Sequence, residues 1–266
     1  MDWIALLEEL RRIPLVWVIV CAFGAVFGSF INVVIYRLPR GLSLAHPPSA
    51  CPKCDQRIKP YDNIPIISYL ILRGRCRNCA TQFTIRYPAV EFLGAVLTLG
   101  SFLFAPTPLE VPIWTVLTLT LLAVTFIDFD WQIIPDLITI PGVAIGLILA
   151  ILGPFPLLSS IIGAVAGGGG LLLVAIAYRL VTGRDGLGMG DVKLMAMIGA
   201  FTGWQGVLGT LFIGSMVGTL ICVSIILKGK GTRLTAFPFG TFLAPAAWVI
   251  LFFGDILWTA YLSLFP

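Results

Sequence analysis

Apolar residues along this chain run in long blocks separated by short polar punctuation. Blocks able to cross roughly 30 Å of hydrocarbon, which takes about 20 residues each, fall at 13–36, 89–106, 111–127, 135–153, 157–178, 191–205, 206–227 and 239–262. The sixth is short. The pattern predicts an all-α polytopic membrane protein of about eight transmembrane helices. Ahead of the first block, MDWIALLEELRR is amphipathic, with Trp3, Ile4, Leu6, Leu7 and Leu10 on one side. It reads either as a helix lying along the outer membrane surface or as the frayed start of the first span. The first block is too long for a removable signal peptide and is followed by basic residues where a small-residue cleavage site would stand.

Composition strengthens this picture. Of 266 residues, 58% are hydrophobic and 11% charged, and the mean hydropathy is +1.00, well above what a soluble core requires. No Gln/Asn-rich or Ser-rich run marks a disordered tail. Gly167 to Gly170, preceded by Gly163, reads as a face on which two membrane helices approach closely.

Charge sets the orientation. The long polar interval 37–88 holds nine of the seventeen basic residues, against only Asp55 and Asp62. By the positive-inside rule it is cytoplasmic and the N-terminus lies outside. Counting eight spans places Arg179, Arg184, Lys193, Lys228, Lys230 and Arg233 inside as well, and the C-terminus outside. The outer intervals near 107–110, 154–156 and 203–206 have no Lys or Arg. Only Arg11 and Arg12, beside Glu8 and Glu9, fall on the outer side.

That loop carries Cys51-Pro-Lys-Cys54 and Cys76-Arg-Asn-Cys79, two C-x-x-C pairs 21 residues apart. Four thiolates at this spacing suit one tetrahedral zinc ion, and a reducing compartment disfavours disulfides. A redox dithiol and two disulfides are the competing readings. A four-thiolate site leaves no open position for catalysis, so its expected role is structural. Cys21 and Cys222 lie in apolar blocks and read as small packing residues.

Only thirteen acids occur. Asp128 and Asp130 end the third span, Asp136 opens the fourth and Asp191 opens the sixth, all on the predicted cytoplasmic side. A carboxylate at the hydrocarbon edge is costly unless paired, hydrated or functional. Asp136 follows Pro135 and reads as a helix cap. Asp130 can be hydrated at the interface, and Asp191 can also be a cap. Capping alone leaves the glycines of GLGMGDVKL (186–194) unexplained; they suit a backbone that comes close to a partner or adopts positive φ. Two carboxylates brought together titrate as a coupled pair that can hold a water, one taking its proton while the other polarises a carbonyl. The single histidine, His46, has no visible triad partner.

The ordered strings GSFINVVIYRLP (28–39), the two C-x-x-C pairs, YPAVE (87–91), IDFDWQIIPD (127–136), GMGDVKL (188–194) and FPFGTFLAP (237–245) resemble the type IV prepilin peptidases, a family of GxGD-type intramembrane aspartic proteases that also N-methylate their product. The resemblance implies Asp128 and Asp191 as the catalytic pair, with Gly188 and Gly190 shaping the backbone around the second acid. Lys193 is a supporting candidate that would meet lipid phosphate or substrate. It implies removal of a short basic leader from prepilins and pseudopilins at the cytoplasmic face of the bacterial inner membrane, then methylation from S-adenosylmethionine. The implied division is 1–36, the amphipathic segment and first transmembrane helix; 37–88, a cytoplasmic four-cysteine zinc-binding domain; and 89–266, a seven-helix peptidase core. The family subgroup carrying the four cysteines is associated with methyl transfer, which points to 37–91, with Glu91 and the glycines of the first span as donor-site candidates. No dinucleotide fingerprint is present. The expected partners are prepilins and the lipid bilayer, and no nucleic acid. Three alternatives compete: a peptidase without methyl transfer, a proton- or ion-coupled transporter, and an inactive scaffold for pilin-like helices. The acids cluster at the membrane edge and no internal repeat is visible, both against transport.

Overall fold

Helix boundaries follow the apolar blocks and their proline and glycine punctuation. The computed structural model describes residues 3–153, 155–228 and 238–264. Among them it has nine α-helices: α1 Trp3–Arg11, α2 Pro14–Arg37, α3 Ile67–Ile71, α4 Arg86–Phe104, α5 Glu110–Trp131, α6 Asp136–Leu152, α7 Leu157–Thr182, α8 Met189–Leu227 and α9 Gly240–Leu262. Lys230 and Arg233, used above for orientation, and Phe237 of the last motif lie outside the described residues. Pro14 opens α2 at a position where its missing N–H costs nothing. Gly153 and Gly183, both in left-handed conformations, end α6 and α7.

By length and composition, α2, α4, α5, α7, α8 and α9 can each cross a membrane, and α6 is a shorter apolar helix. Within α8, Gly203 has φ 69° and ψ −177° and divides it into two helical stretches. Eight apolar helical segments therefore follow one another in the predicted order. The sixth and seventh meet at Gly203, slightly ahead of the predicted 205/206 boundary. The break falls within the predicted outer interval near 203–206, where hydropathy dips over the polar stretch 202–206; a side chain is strained at that φ.

The chain forms two compact units, Met1–Ala123 and Val124–Pro266. In the first, α2 packs on α4 through glycines. A Cβ at Gly24 would lie 2.6 Å from the Gly94 carbonyl, and one at Gly28 would lie 2.7 Å from Glu91 Cα. Such approach is the main source of contact where lipid is as apolar as the side chains. The amphipathic segment is a helix of its own, with Leu7 buried and Trp3 and Ile4 exposed. Arg11 pairs with Glu8 and donates to the carbonyls of Phe102, at 2.9 Å, and Ala105, at 2.5 Å. It thus satisfies the C-terminal end of α4, where a cation is favoured. This gives Arg11, an exception to the charge rule, a structural use.

In the second unit α7 packs on α8. Gly163 faces the backbone of Gly199 and Gly203, Gly167 the Met195 carbonyl, and Gly168 the Ala196 Cβ at 2.9 Å. Gly170 has no neighbour within 4 Å of where its Cβ would be, and Gly169 only Val165 at 4.0 Å. The predicted glycine face is therefore Gly163, Gly167 and Gly168.

Candidate active site

Asp128 lies in the last turn of α5, four residues before Gln132, whose left-handed φ of 53° and N–H bond to the Asp128 carbonyl terminate the helix. The chain then turns inward at Ile134 and restarts as α6 at Asp136. Asp191 lies in the first turn of α8, its N–H bonded to the Gly188 carbonyl at 3.1 Å. Both acids are buried, 4% and 8% exposed, whereas Asp130 and Asp136 are exposed.

The two buried carboxylates meet at the start of α9. The Gly240 amide faces both, and they are close enough for direct electrostatic interaction. Asp128 Oδ2 also accepts from the Thr241 N–H at 2.8 Å and the Thr241 hydroxyl at 3.2 Å. A helix N-terminus supplies unsatisfied N–H groups suited to an anion. Thr241 and Gly240 were not singled out from the sequence beyond the string FPFGTFLAP; no local pattern links them to an aspartate 113 residues away.

Ile134 is the packing centre of the site. A Cβ at Gly190 would lie 2.9 Å from Ile134 Cβ, and one at Gly240 would lie 2.7 Å from Ile134 Cδ1 and 2.9 Å from Asp128 Oδ2. A Cβ at Gly188 would lie 3.1 Å from Asp191 Oδ2. The glycines thus serve close approach. Positive φ, the other use considered for them, does not occur at Gly186, Gly188 or Gly190; Gly188 is extended and Gly190 helical.

Lys193 Nζ lies 2.7 Å from both Asp136 oxygens. The pair ties α8 to the start of α6. It engages the ammonium that was assigned above to lipid or substrate, and Asp136 makes this bond in addition to its place in the first turn. His46 is exposed in the loop after α2.

In the other unit, the Sγ atoms of Cys51, Cys54, Cys76 and Cys79 all lie within 4.8 Å of one another. The two C-x-x-C turns repeat one geometry. Cys51 N–H bonds the Gln56 carbonyl and Cys76 N–H the Thr81 carbonyl; Asp55 and Ala80, both at positive φ, return their N–H groups to Cys51 and Cys76. All six cysteines are free thiols. The 3.7 Å between Cys51 and Cys79 sulfurs matches the roughly 3.8 Å edge of a tetrahedron with Zn–S bonds of about 2.3 Å, and is far longer than a disulfide. Hydrogen bonding with the Thr81 side chain and backbone lowers the Cys79 thiol to about 6, which favours the thiolate a metal needs. Nearby, the Arg77 guanidinium holds Asp62 below the usual carboxylate range through a two-pronged contact of 2.6–3.0 Å.

Glu91 is buried in α4, and its Oε2 accepts the Ile66 N–H at 2.7 Å, with Ser29 as a further partner. The carboxylate is thus engaged in holding the loop. Beside the cysteine cluster a cavity of 260 Å³ is lined by Arg57, Lys59, Asp62, Arg77 and Phe83 among others. It is below the roughly 300–1,000 Å³ of small-molecule sites, and its one acid is already bound to Arg77. It does not fit a whole S-adenosylmethionine.

Residues 22–105 match the family described as Bacterial Peptidase A24 N-terminal domain, and residues 115–223 match the Type IV leader peptidase family. The chain is 37% identical to a prepilin leader peptidase/N-methyltransferase of Pseudomonas putida over 91% of its own length and 92% of that protein. It is 38% identical to the protein of the same name from Aeromonas salmonicida, over 97% and 98%, and 37% identical to that from Neisseria gonorrhoeae, over 89% and 90%. No solved structure matches. With the two family matches and full-length relatives of this similarity, the chain belongs to the type IV leader peptidase family.

Proposed function

We propose that this multi-pass inner-membrane enzyme removes the leader of type IV prepilins and pseudopilins, with Asp128 and Asp191 as the catalytic pair, and then methylates the new N-terminal amine. The observation that carries the assignment is that, of four acids at the predicted cytoplasmic edge, these two are buried together against Gly240 while Asp130 and Asp136 face outward. One carboxylate, ionised, accepts a proton from water as its oxygen attacks the scissile carbonyl. The other, protonated, donates its proton to the carbonyl oxygen. As the resulting gem-diol collapses and the C–N bond breaks, the first carboxyl gives the proton it took from water to the leaving amine and the second recovers its own from the gem-diol hydroxyl, which restores the one-proton pair. Thr241 fixes the Asp128 carboxylate by two donors, and Ile134 excludes water from one side. Gly188 and Gly190 keep the second acid approachable. Lys193 acts through Asp136, holding α6 and α8 in register.

The orientation follows from charge: N- and C-termini outside, the four-cysteine domain of 37–88 and both aspartates inside. Zinc held by Cys51, Cys54, Cys76 and Cys79 is structural and closes the two turns around one ion. S-adenosylmethionine supplies the methyl group, and the donor-binding residues are left unassigned. The functional division remains 1–36, 37–88 and 89–266.

The test is cleavage of a full-length prepilin by purified enzyme in lipid with S-adenosylmethionine present, read by intact mass. Wild type should give a product heavier than the bare cut by one methyl group, and Asp128→Asn and Asp191→Asn should give none at equal folded protein. Cutting by both variants would refute the pair; a bare wild-type product would refute methyl transfer alone.

A further inference from the structure

The stretch NIPIISYLILRG (63–74) is the most apolar part of the loop between α2 and α4, and the fold leaves much of it uncovered. The helix α3 turns Ile67, Leu70 and Ile71 outward, the last two 68% and 71% exposed, and Ile85, just ahead of α4, is 72% exposed. An apolar surface of this kind on a water-facing domain marks a contact. Its height is set by one bond. The Ile66 N–H, in the turn that opens α3, donates to Glu91 Oε2 at 2.7 Å.

Glu91 is the sixth residue of α4, about 7–8 Å along the axis from its start at Arg86. Its backbone packs on Gly28, nine residues before the end of α2, or about 13 Å. At this level the two helices already carry exposed Phe27, Phe30 and Phe92. The start of α3 therefore hangs beside the apolar, membrane-crossing parts of α2 and α4, and its outward face continues theirs. Charge completes the match. No acid occurs from 63 to 90, while Arg73 and Arg75, both exposed, follow α3 directly. An apolar knob followed by cations suits acyl chains below and anionic headgroups above.

We propose that α3 is a membrane anchor: Ile67, Leu70 and Ile71 sit among the acyl chains of the leaflet that borders this loop, and Arg73 and Arg75 engage phosphates of anionic lipid. The four-cysteine domain is then held against the bilayer and does not float above it. The orientation proposed above decides only which leaflet is named.

The experiment places a photo-crosslinking p-benzoylphenylalanine at Ile71 of the full chain, in nanodiscs of phosphatidylethanolamine and phosphatidylglycerol with prepilin present, and reads adducts by mass. Phe92 serves as the lipid-facing reference and Lys53, exposed on a cysteine turn, as the water-facing one. Lipid adducts at positions 71 and 92, absent at 53, are expected. Arg73→Gln with Arg75→Gln should lower the phosphatidylglycerol share of the adducts at 71 by about fivefold per arginine, the factor that corresponds to about 1 kcal/mol per cation at an anionic surface. Adducts at 71 to prepilin or to a second copy of this chain, or no lipid adduct there while 92 yields one, would overturn the anchor. Failure at 92 as well would instead reject α4 as a membrane span and the anchor with it. Prepilin cleavage in the same nanodiscs is read separately, so loss of the proposed function is distinguishable from loss of the anchor.

Discussion

Gly240→Ala tests the site without touching a carboxylate. The added Cβ would lie 2.9 Å from Asp128 Oδ2 and 2.7 Å from Ile134 Cδ1, where ordinary contacts begin at 3.4 Å. Asp128 and Ile134 must each retreat by about half an ångström or more, and displacement of a reacting group by about 1 Å costs on the order of 100-fold in rate. The retreat also lengthens the 2.8 and 3.2 Å bonds from Thr241. We expect kcat to fall by about 10- to 100-fold, that is, about 1.4–2.7 kcal/mol of lost transition-state stabilisation. Folding should survive, because both crowded groups are side chains that can move, and Ala is a better helix former than Gly at the start of α9. The assay is prepilin cleavage against time at saturating substrate, with thermal unfolding of the same preparation. Gly170→Ala is the control, since nothing lies within 4 Å of the added atom. A Gly240→Ala enzyme with more than half of wild-type kcat would refute the placement of the acid pair at α9.

Other perturbations probe the supporting contacts. The Lys193–Asp136 pair is partly solvated, 35% and 56% exposed, so a double-mutant cycle with Lys193→Gln and Asp136→Asn should give a coupling below about 1 kcal/mol in stability; a coupling above about 2 kcal/mol would mark it as a buried, structural pair. In zinc-stripped protein at pH 7, Cys79, its thiol lowered to about 6 and only partly buried, should be alkylated before the fully buried Cys51. The sign follows: a depressed thiol favours the ordered loop above the ordinary thiol range and loses that contribution as pH falls through about 6. Zinc retention should therefore drop on acidification, and equal alkylation of all four cysteines would contradict the geometry. Glu91→Ala strands the Ile66 N–H at a cost of about 1–3 kcal/mol, read as faster amide exchange over 63–74; unchanged exchange would show that the bond does not hold the loop.

Much of this architecture was legible because its signals are local. A block of about 20 apolar residues reports a membrane helix without its partners, and two C-x-x-C pairs carry their own ligand spacing. The chemical strings singled out the two acids that the fold buries beside Gly240. What escaped reading depends on distant residues. Asp136 looked like a cap because its neighbours are Pro135 and a helix; its partner Lys193 is 57 positions away. Thr241 and Ile134 have ordinary identities, and only the fold brings them to the acids. The break near 203–206 was legible as a polar dip, but its form, one left-handed glycine with helix on both sides, was not. The loop 37–88 reads as polar on its arginines, which masks an apolar run whose burial depends on how high Glu91 holds it.

The glycines show how one residue type serves two ends, and the atoms around each decide which. At Gly240 a Cβ meets side chains, which can shift while the helices stay in place; at Gly163 it meets the Gly199 carbonyl and the Gly203 backbone, C at 2.6 Å and Cα at 2.8 Å. Backbone in a packed helix cannot rotate away, so relief requires α7 and α8 to separate. Where apolar lipid replaces apolar partners at little cost, such separation forfeits much of what holds the pair. Gly163→Ala should therefore cost about 1–3 kcal/mol or more in stability, seen as a lower unfolding temperature in lipid, while the protein that remains folded keeps its turnover per site. Gly240→Ala should show the reverse pattern. If Gly163→Ala instead lowered turnover at unchanged unfolding temperature, the division between packing glycines and site glycines would fail, and the acid pair would have to be coupled to the α7–α8 contact.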